Sequence, residues 1–322
     1  MMKEKQTKTN PFVNSDSNKR YYTYDHYLKK TFGGKCVKIP LNAGFSCPNV
    51  DGKCGVGGCI YCSESGSGDF AEPSELPIAE QFERVRKKLS SKWDTQRYVP
   101  YFQARTNTYA PLSVLKEKFE AALCLDGVVG MNIATRADCL EDDVVQYLSE
   151  LSERTVLTVE LGLQTIHDET ARFINRGHTY SDFLDGYNKL RFANPKINIC
   201  VHLIFGLPNE NEEMMIQTAK EVASLSPDMV KIHLLHVLRG TKLAKIYQSG
   251  EYAQLEKDDY VRLVAQALQY FDKDTVIARV TGDGMKDDLL APLWSLKKVS
   301  VINDIDKYLF ENNMWQGKLA EN

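Results

Sequence analysis

The chain has 322 residues, with 40 lysines and arginines against 43 aspartates and glutamates, which gives a formal net charge of −3. A composition of 43% hydrophobic and 26% charged residues is typical of globular proteins and excludes a wholly disordered chain. The small net charge excludes a strongly basic protein that coats nucleic acid. No apolar run approaches the roughly 20 residues that cross a bilayer, and the start, MMKEKQTKTN, lacks a secretion signal, so we expect a cytoplasmic protein.

The pattern of apolar residues predicts alternating strands and helices. Near-continuous apolar runs predict strands over residues 36–41, 98–103, 128–133, 156–161, 197–205 and 229–235. Amphipathic spacing predicts helices over 78–89, 112–123, 142–151, 180–192 and 212–225, followed by a helix over 258–271, a further strand over 275–280 and a closing helix over 301–310. Six strand–helix units in succession predict an α/β fold, either a partial (β/α) barrel or an open doubly wound sheet.

The chain shows no internal repeat and no linker between residues 20 and 315. The polar segment over residues 1–18 is predicted to be a disordered tail. One domain is therefore expected over residues 19–315, with a C-terminal extension from about residue 275 and a short tail over 316–322. The aromatic run YYTYDHY over residues 21–27 is expected either to cap the bottom of a barrel or to contact RNA.

The eight cysteines are unevenly distributed. Five of them fall within 27 residues, whereas Cys124, Cys139 and Cys200 lie in apolar surroundings and are expected to be small core residues. A reducing compartment disfavours a disulfide framework in a chain of this size. The clustered cysteines, of which Cys36 lies on the first predicted strand, are Cys36, Cys47, Cys54, Cys59 and Cys62.

A glycine-rich loop over residues 42–62 carries four of these cysteines and directly follows the first predicted strand. In a barrel this position is the face where catalytic groups collect. Thiolates at this density bind zinc or an iron–sulfur cluster, and glycines let the backbone wrap closely round such a group. Three interpretations compete: a four-ligand zinc site, a four-cysteine electron-transfer cluster, and a [4Fe–4S] cluster with three cysteines and one open iron.

The loop sequence CPNVDGKCGVGGCIYC resembles the cluster loop of radical S-adenosylmethionine (SAM) enzymes. Its longer form, CPN-x-DG-x-x-G-x-GGC-x-[FY]-C, resembles the YhcC/YtqA-type family, which includes the MnmL-like proteins and is related to the radical SAM core of the elongator catalytic subunit. The resemblance extends over about residues 20–315. It is carried by the segments YVPYFQARTNTYA at 98–110, ATRAD at 134–138, ELGLQ at 160–164, NRGH at 175–178, HLIFGLP at 202–208 and KIHLLH at 231–236.

This resemblance implies a partial (β/α)6 TIM-like barrel with short N-terminal and C-terminal extensions. It implies a [4Fe–4S] cluster held by Cys47, Cys59 and Cys62, and SAM as the cofactor that the cluster cleaves to a 5′-deoxyadenosyl radical. Cys54 is expected to be a non-ligand.

The same resemblance implies contacts to SAM. Tyr61 is expected at the adenine, and Gln103 stands where the family has a glycine-rich segment that meets the SAM amino group. Arg176 resembles the arginine that pairs with the SAM carboxylate, although the segment is also acceptable as a helix C-cap. The backbone at Gly206 would lie against the adenine, and Asn209 replaces a glycine of the family's turn but tolerates its left-handed geometry.

Two polar residues on the fourth strand differ by four positions, Glu160 and Gln164. Glu160 interrupts an apolar run, and a buried carboxylate needs a partner. The SAM amino group or ribose is one candidate, and a salt bridge to Arg136 or Arg176 is the other. Among the strand histidines, His233 and His236 differ by three and therefore face opposite sides, so only one is expected to point into a barrel.

The resemblance implies tRNA as the substrate. The implied reaction converts 5-carboxymethylaminomethyl-uridine at the wobble position to 5-aminomethyl-uridine, by hydrogen abstraction from the side chain and C–N cleavage, with an electron donor such as flavodoxin or ferredoxin. The alternatives are a radical SAM enzyme with a small-molecule or protein substrate and a zinc-dependent RNA-binding protein without enzymatic activity. The residues by themselves leave the substrate and the oligomeric state open.

Support for RNA binding within the sequence is modest. Basic residues cluster at 29–30, 84–88 and 297–298, but such runs are more often solvated helix faces. In the C-terminal segment we expect Arg279, Asp283 and Trp294 to line a substrate pocket.

Overall fold

Seven parallel strands form the main sheet in a computed structural model, which describes residues 10–63, 66, 70–282 and 284–320. The order across the sheet is β1-β2-β3-β4-β5-β6-β8, which follows the chain order apart from the short β7. The strands are β1 (Val37–Leu41), β2 (Tyr98–Phe102), β3 (Gly130–Thr135), β4 (Val156–Gln164), β5 (Asn198–Phe205), β6 (Met229–Leu234) and β8 (Val276–Arg279). A separate antiparallel pair joins β7 (Val237–Leu238) to β9 (Leu289–Ala291).

Most of the helices lie between successive strands, whereas α1 precedes β1 and α10 follows β9. Their bounds are α1 (Tyr24–Phe32), α2 (Ile78–Ser90), α3 (Leu112–Leu123), α4 (Asp142–Ser152), α5 (Asp168–Phe173), α6 (Tyr180–Ala193), α7 (Glu212–Ser224), α8 (Lys242–Gln248), α9 (Lys257–Leu268) and α10 (Lys298–Glu311). Capping explains several of the starts: the Thr179 and Asp182 side chains form a reciprocal capping box at α6, and the Asn211 side chain accepts from the Met214 backbone N–H at α7. In the described part of the chain, no helix combines the length and apolarity needed to cross a membrane.

Contacts between distant strands show that the sheet is curled. On a flat sheet β2 and β6 would lie about 19 Å apart, because neighbouring strands are about 4.8 Å apart. The Lys231 ammonium on β6 nevertheless donates a hydrogen bond of 3.2 Å to the Tyr101 hydroxyl on β2. The sheet is therefore the predicted partial barrel, with α-helices outside and a polar lumen inside, and the open doubly wound alternative is excluded. The further strand predicted near residues 275–280 is β8, which extends the six predicted units to seven strands.

Aromatic residues of the N-terminal segment close the bottom of the half-barrel. Tyr24, Tyr27 and Leu28 pack against the N-terminal ends of the strands, including Val99 and Gly130. The aromatic run therefore caps the barrel bottom, as one of the two sequence interpretations expected. The sequence missed α1 itself, because its lysines and polar residues give a weak apolar stripe.

The ends of the chain take part in the packing more than the tail boundaries predict. Phe12, within the predicted disordered segment, is only 5% exposed and packs with Tyr22, Cys200 and Met229 beneath the barrel. At the other end, the buried Gln316 side chain accepts from the Tyr22 backbone N–H and donates to the Thr275 carbonyl, so the ordered domain includes this residue. The sequence analysis did not predict the burial of Phe12 or of Gln316, because a single buried residue in a polar segment gives no periodic pattern.

Candidate active site

The cysteine loop leaves the C-terminal end of β1 and is braced by the side-chain amides of the buried Asn49 and the half-buried Asn175. Asn49 is fully buried, and its side chain donates to the Asn175 carbonyl and to the Cys59 sulfur at 3.6 Å. The Asn175 side chain returns a 2.7 Å hydrogen bond to the Gly58 carbonyl. Asn175 has a left-handed backbone with φ of 54°, which an asparagine tolerates. The loop is thus fixed against the segment that follows α5.

The thiols of the loop act on one another electrostatically. A hydrogen bond from Cys62, helped by the charge of Arg176, lowers the pKa of Cys59 to about 5. The same hydrogen bond raises the pKa of Cys62 well above its ordinary value, and the charge of Cys47 contributes in the same direction. The structure therefore brings Cys47, Cys59 and Cys62 into one site beside a buried guanidinium.

Cys54 is held by different partners. The Arg136 guanidinium donates to its sulfur at 3.5 Å, and the same guanidinium forms a 2.7 Å ion pair with Asp138. Arg136 also donates to the Arg176 and Gly177 carbonyls. The sequence did not identify this arginine as the partner of Cys54, because the two residues lie 82 positions apart.

The spacing of the thiols bears on the zinc alternative. Four thiolates round one zinc ion, each about 2.3 Å from it, lie close together, whereas each thiolate of an iron–sulfur cluster binds a different iron. Among the described residues, the only trio of His, Cys, Asp or Glu ligand atoms that all lie within 4.8 Å of one another is Glu160, Cys200 and His202, away from the loop. The loop cysteines do not form such a trio among the described residues.

Arg176 reaches from the segment after α5 over the end of β4. Its guanidinium donates at 2.6 Å to the Gly162 carbonyl. A Cβ built on Gly162 would lie 2.8 Å from the Gln164 side-chain amide and 3.0 Å from the Arg176 guanidinium, so both groups occupy the space on the inner face of this residue. The Nε of Arg176 is buried and has no hydrogen-bond partner among the described residues. An anionic group at this place would satisfy that donor, which is the fit expected for a carboxylate.

The other predicted cofactor residues lie at the same end of the barrel. Gln103 directly follows β2, and its backbone N–H donates to the Leu41 carbonyl at the end of β1. Tyr61 packs on an apolar cluster that includes Ile60 and Leu243, and burial raises its pKa well above the ordinary value.

Gly206 ends β5 with a left-handed backbone, and its carbonyl accepts a 2.7 Å hydrogen bond from the Tyr252 hydroxyl. Asn209 also has a left-handed backbone, with φ of 67°, so the turn that the sequence predicted is kept. Gly206 is buried, and a Cβ built on it would lie 3.2 Å from the Leu255 side chain, so Leu255 and Tyr252 pack against this glycine.

Glu160 lies deeper in the lumen and has partners that the sequence analysis did not name. Lys38 of β1 donates to Oε1 at 3.0 Å, while His202 of β5 and Lys231 of β6 donate to Oε2. Neither Arg136 nor Arg176, the salt-bridge partners considered from the sequence, is among these donors. Although burial opposes it, the charges of Lys231 and Lys38 hold the pKa of Glu160 well below its usual range.

The histidines of the lumen are neutral at physiological pH. Burial, followed by the charge of Lys231, lowers the pKa of His202 to about 4. Burial and the charge of Arg279 lower the pKa of His233 well below its ordinary value. The two rings lie 5.2 Å apart, so His233 is the histidine of its pair that points into the barrel, whereas His236 packs beside Gly282.

The three residues predicted for a C-terminal pocket have different positions. Arg279 pairs in register with Lys231 and belongs to the lumen wall. The Trp294 indole donates to the Leu255 carbonyl and lies against Tyr260, so it packs in the helical layer rather than lining the lumen. Asp283 lies outside the described residues.

Comparison with known proteins identifies the family. The Radical SAM superfamily profile matches residues 52–222, more than half of the chain, and the Radical_SAM C-terminal domain profile matches residues 227–311. The chain belongs to the radical SAM superfamily. It is 48% identical over 312 residues to the uncharacterized protein YtqA of Bacillus subtilis, which covers 97% of this chain and 96% of that one. This relative places the chain in the YhcC/YtqA-type family.

A partial sequence match relates the chain to the elongator-related radical SAM proteins, and a solved structure shares its fold. The chain is 32% identical over 159 residues to a tRNA uridine(34) acetyltransferase of Methanocaldococcus jannaschii, a match that covers 48% of this chain and 28% of that enzyme. The structure of Elp3 from Methanocaldococcus infernus superposes with a TM-score of 0.67 at 17% identity, over 87% of this chain and 64% of that one. The second likeness shows a shared fold.

Membership of the radical SAM superfamily makes the chain an enzyme whose cofactors are a [4Fe–4S] cluster and SAM. The convergent thiols of the loop and the unpartnered buried donor of Arg176 fit these two groups.

Three site residues were missed by sequence reasoning, namely Asn49, Lys38 and Lys231. The family pattern contains Asn49, and a lysine inside each of two apolar strands is a signal that was available for the other two.

The predicted basic clusters are largely neutralised. Lys29 pairs with Asp16 and Asp25. In α2, Arg84 pairs with Glu80 and Arg86 with Glu83. The 29–30 and 84–88 clusters are therefore solvated helix faces with local counter-charges, as the alternative interpretation expected.

Proposed function

We propose that Cys47, Cys59 and Cys62 hold the [4Fe–4S] cluster and that Arg176 binds the carboxylate of SAM. The hydrogen bond between Cys59 and Cys62 and the charge of Cys47 on Cys62 support the first assignment. Cys47 acts on Cys54 as well, so it is the hydrogen bond from Arg136 to the Cys54 sulfur that supports leaving this residue out. The unpartnered Nε of Arg176 supports the second, since a guanidinium pairs well with a carboxylate.

Further contacts to SAM come from the residues that surround Arg176. Gln164 shares the space on the inner face of Gly162 with the guanidinium and is positioned for a polar contact. Gln103, which follows β2, and Tyr61 lie at the same end of the barrel and are proposed to contact the cofactor, with the Gly206 backbone beside the adenine. Glu160 is reassigned from the SAM site to the lumen, because both of its oxygens already accept from protein donors.

The bound cofactors supply a 5′-deoxyadenosyl radical, and the chain supplies position and exclusion of water. The N-terminal aromatic cap closes the bottom of the lumen, so substrate enters from the end that carries the cysteine loop. In the interior, Tyr101 and Glu160 accept hydrogen bonds from Lys231, and Asn132 donates to Glu160. A radical formed at the loop end would then face these groups inside the barrel.

The substrate that we propose is tRNA at the wobble uridine, with conversion of the 5-carboxymethylaminomethyl group to 5-aminomethyl. In this conversion water supplies an oxygen, the two-carbon unit leaves as glyoxylate, and cleavage of SAM to methionine and 5′-deoxyadenosine takes up the two electrons. The observation that carries this proposal is the likeness of half of the chain to a tRNA uridine(34) acetyltransferase. RNA would then be bound at the rim of the barrel, and a single-stranded anticodon base is short enough to reach into the lumen. A reduced flavodoxin or ferredoxin is the proposed electron donor.

The test is a reaction of the reconstituted protein with SAM, a reductant and undermodified tRNA that carries the carboxymethylaminomethyl group. We expect 5′-deoxyadenosine and 5-aminomethyl-uridine to form together, and neither to form with Cys59→Ala. Formation of 5′-deoxyadenosine without any change in the nucleoside would refute the tRNA substrate while leaving the radical SAM activity in place. Nucleoside analysis of tRNA from a deletion strain is the matching test in cells, where the carboxymethylaminomethyl form should accumulate.

A further inference from the structure

The charged groups of the lumen do not balance. Lys38 and Lys231 both pair with Glu160, and among the described residues no other carboxylate forms an ion pair with either lysine. His202 and His233 contribute no charge at neutral pH. Two ammonium groups therefore share one carboxylate, so these three groups carry one positive charge in excess, and the Arg279 guanidinium of the lumen wall is not part of this count.

The excess charge is accessible. The Lys231 side chain is 5% exposed, whereas the Lys38 side chain is 22% exposed and the His202 side chain 15%. An ammonium has three N–H donors, and the Glu160 oxygen is the one hydrogen-bond acceptor found for Lys38 in the described part of the chain. The rings of Tyr24 and Tyr101 lie 4.5 and 4.6 Å from its nitrogen and hold it between them.

A second polar group of the cavity lacks a partner. The Nε2 of His233 is buried without a hydrogen-bond partner among the described residues, and the ring lies 5.2 Å from that of His202. A buried polar atom without a partner is costly, so a ligand that hydrogen bonds there would be stabilised. The cavity thus offers both a positive charge and a free polar atom to the same ligand.

Lys38, Glu160, His202 and Lys231 form a group of charged and polar side chains that we call the lumen cluster. Its position suits the binding of a substrate. Glu160 and Gly162 lie on the same face of β4, because side chains alternate along a strand. Arg176 and Gln164 occupy the space on the inner face of Gly162, so the lumen cluster lies one layer beneath the proposed SAM site. A group bound by the cluster holds its neighbouring atoms toward that site.

A metal ion is a poorer occupant. Glu160, Cys200 and His202 are close enough to ligate one. However, the two ammonium groups on Glu160 would repel a cation and already use the carboxylate oxygens. The same charges favour an anion.

We propose that Lys38 and Lys231, with His233 beside them, bind a carboxylate of the substrate. The carboxymethylaminomethyl side chain of a wobble uridine ends in a carboxylate. The identification of the bound carboxylate with this one rests on the proposed function. The binding of a carboxylate attached to a secondary amine at this site does not depend on RNA being present.

The test compares the cluster-loaded protein, with SAM present, against matched ligands. Three anticodon stem–loops of one sequence carry 5-carboxymethylaminomethyl-uridine, its methyl ester or 5-aminomethyl-uridine, and fluorescence anisotropy gives the Kd of each. N-methylglycine and its methyl ester, measured by calorimetry, probe the cavity without RNA. The variants are Lys38→Met, Lys38→Arg as the charge-conserving control, and Glu160→Gln.

We expect the wild type to bind each acid about tenfold to a hundredfold more tightly than its ester, which is the range of a hydrogen bond to a charged group. Lys38→Met should remove this preference, Lys38→Arg should retain most of it, and Glu160→Gln should increase it because a competing negative charge is lost. Unchanged iron content and SAM affinity in Lys38→Met show that the variant is folded.

The outcomes separate the two proposals. Binding of the stem–loops without preference for acid over ester overturns the carboxylate site and leaves the tRNA substrate standing. In a second outcome, the protein binds no stem–loop but prefers N-methylglycine over its ester, and Lys38→Met loses this preference. This result supports the carboxylate site and overturns the tRNA substrate. Equal weakening of acid and ester by Lys38→Met shows a merely structural role and overturns the inference.

Discussion

The cysteine loop and the lumen cluster lie at two levels of the same half-barrel and are built in different ways. The loop takes all four of its cysteines from 16 consecutive residues, and it has exposed thiols at Cys54 and Cys62. The lumen cluster takes single residues from β1, β4, β5 and β6, and its central carboxylate is 1% exposed. A site for a large inorganic group is thus local in sequence and incomplete without its ligand. A site that recognises a charged ligand is assembled from residues far apart in the sequence, and part of its own charge is already paired within the protein.

The largest expected effect concerns the loop. Cys59→Ala, like Cys47→Ala and Cys62→Ala, should abolish the bound iron and the visible absorbance of the reconstituted protein, because each thiolate holds one iron. Cys54→Ala should retain both, since the Cys54 sulfur is engaged by the Arg136 guanidinium. Iron analysis after anaerobic reconstitution is the measurement, with Cys124→Ala as a control remote from the loop.

This experiment also decides between Cys47 and Cys54. The superfamily profile begins at residue 52, so it includes Cys54 and excludes Cys47. If Cys54→Ala lost its iron and Cys47→Ala kept it, the ligand set proposed above would be replaced by Cys54, Cys59 and Cys62. A colourless protein that retains zinc would contradict the cluster altogether.

In the lumen the largest expected effect is on stability. Glu160→Ala leaves Lys38 and Lys231 without their shared counter-charge and should lower the free energy of unfolding by about 3–5 kcal/mol. Replacing Lys231 as well, in Glu160→Leu with Lys231→Met, should recover a large part of the loss. Urea unfolding of the three proteins measures the difference, and a loss below about 1 kcal/mol in Glu160→Ala would show that the cluster is solvated rather than buried.

The pH dependence of stability should also come from the lumen. The pKa of His202 is about 4 in the folded chain against 6.5 as its ordinary value, so the unfolded state binds the proton first as pH falls. Stability from this residue is therefore complete above pH 6.5 and is lost as pH falls toward 4, by about 3 kcal/mol at most. His202→Gln keeps a donor to Glu160 and should reduce the slope of the unfolding free energy between these values, while the lowered pKa values of His178 and His233 keep part of it.

The smallest expected effect lies where the two regions meet. Gly162→Ala places a Cβ 2.8 Å from the Gln164 amide and 3.0 Å from the Arg176 guanidinium, so both groups must shift by a few tenths of an ångström. We expect SAM affinity to fall several-fold while the iron content stays unchanged. Arg176→Met, which removes the guanidinium, should weaken SAM binding more, and equal SAM affinity in both variants and the wild type would contradict the assignment of Arg176.

Much of the scaffold was accessible from sequence periodicity. The helix over 112–123 was predicted with its observed bounds, and the other predicted helices and strands differ from the observed ones by up to three residues at either end. The periodicity did not reveal α1, α5, α8 or the β7–β9 pair, because these elements are short or lack a continuous apolar stripe. Thr23 and Gly33 do carry the capping signals of α1, namely an accepting side chain at its start and a left-handed glycine at its end.

What the sequence determined by itself was the order of strands and helices and the cysteine loop with its family pattern, because both are recorded in neighbouring residues. The partners of Glu160 and of Cys54 were decided only by the tertiary structure. Lys38, Glu160 and Lys231 are separated by 122 and 71 positions, and they meet because the sheet curls through six strands. A charge inside an apolar strand shows that a partner must exist, but only the closure of the barrel selects which one.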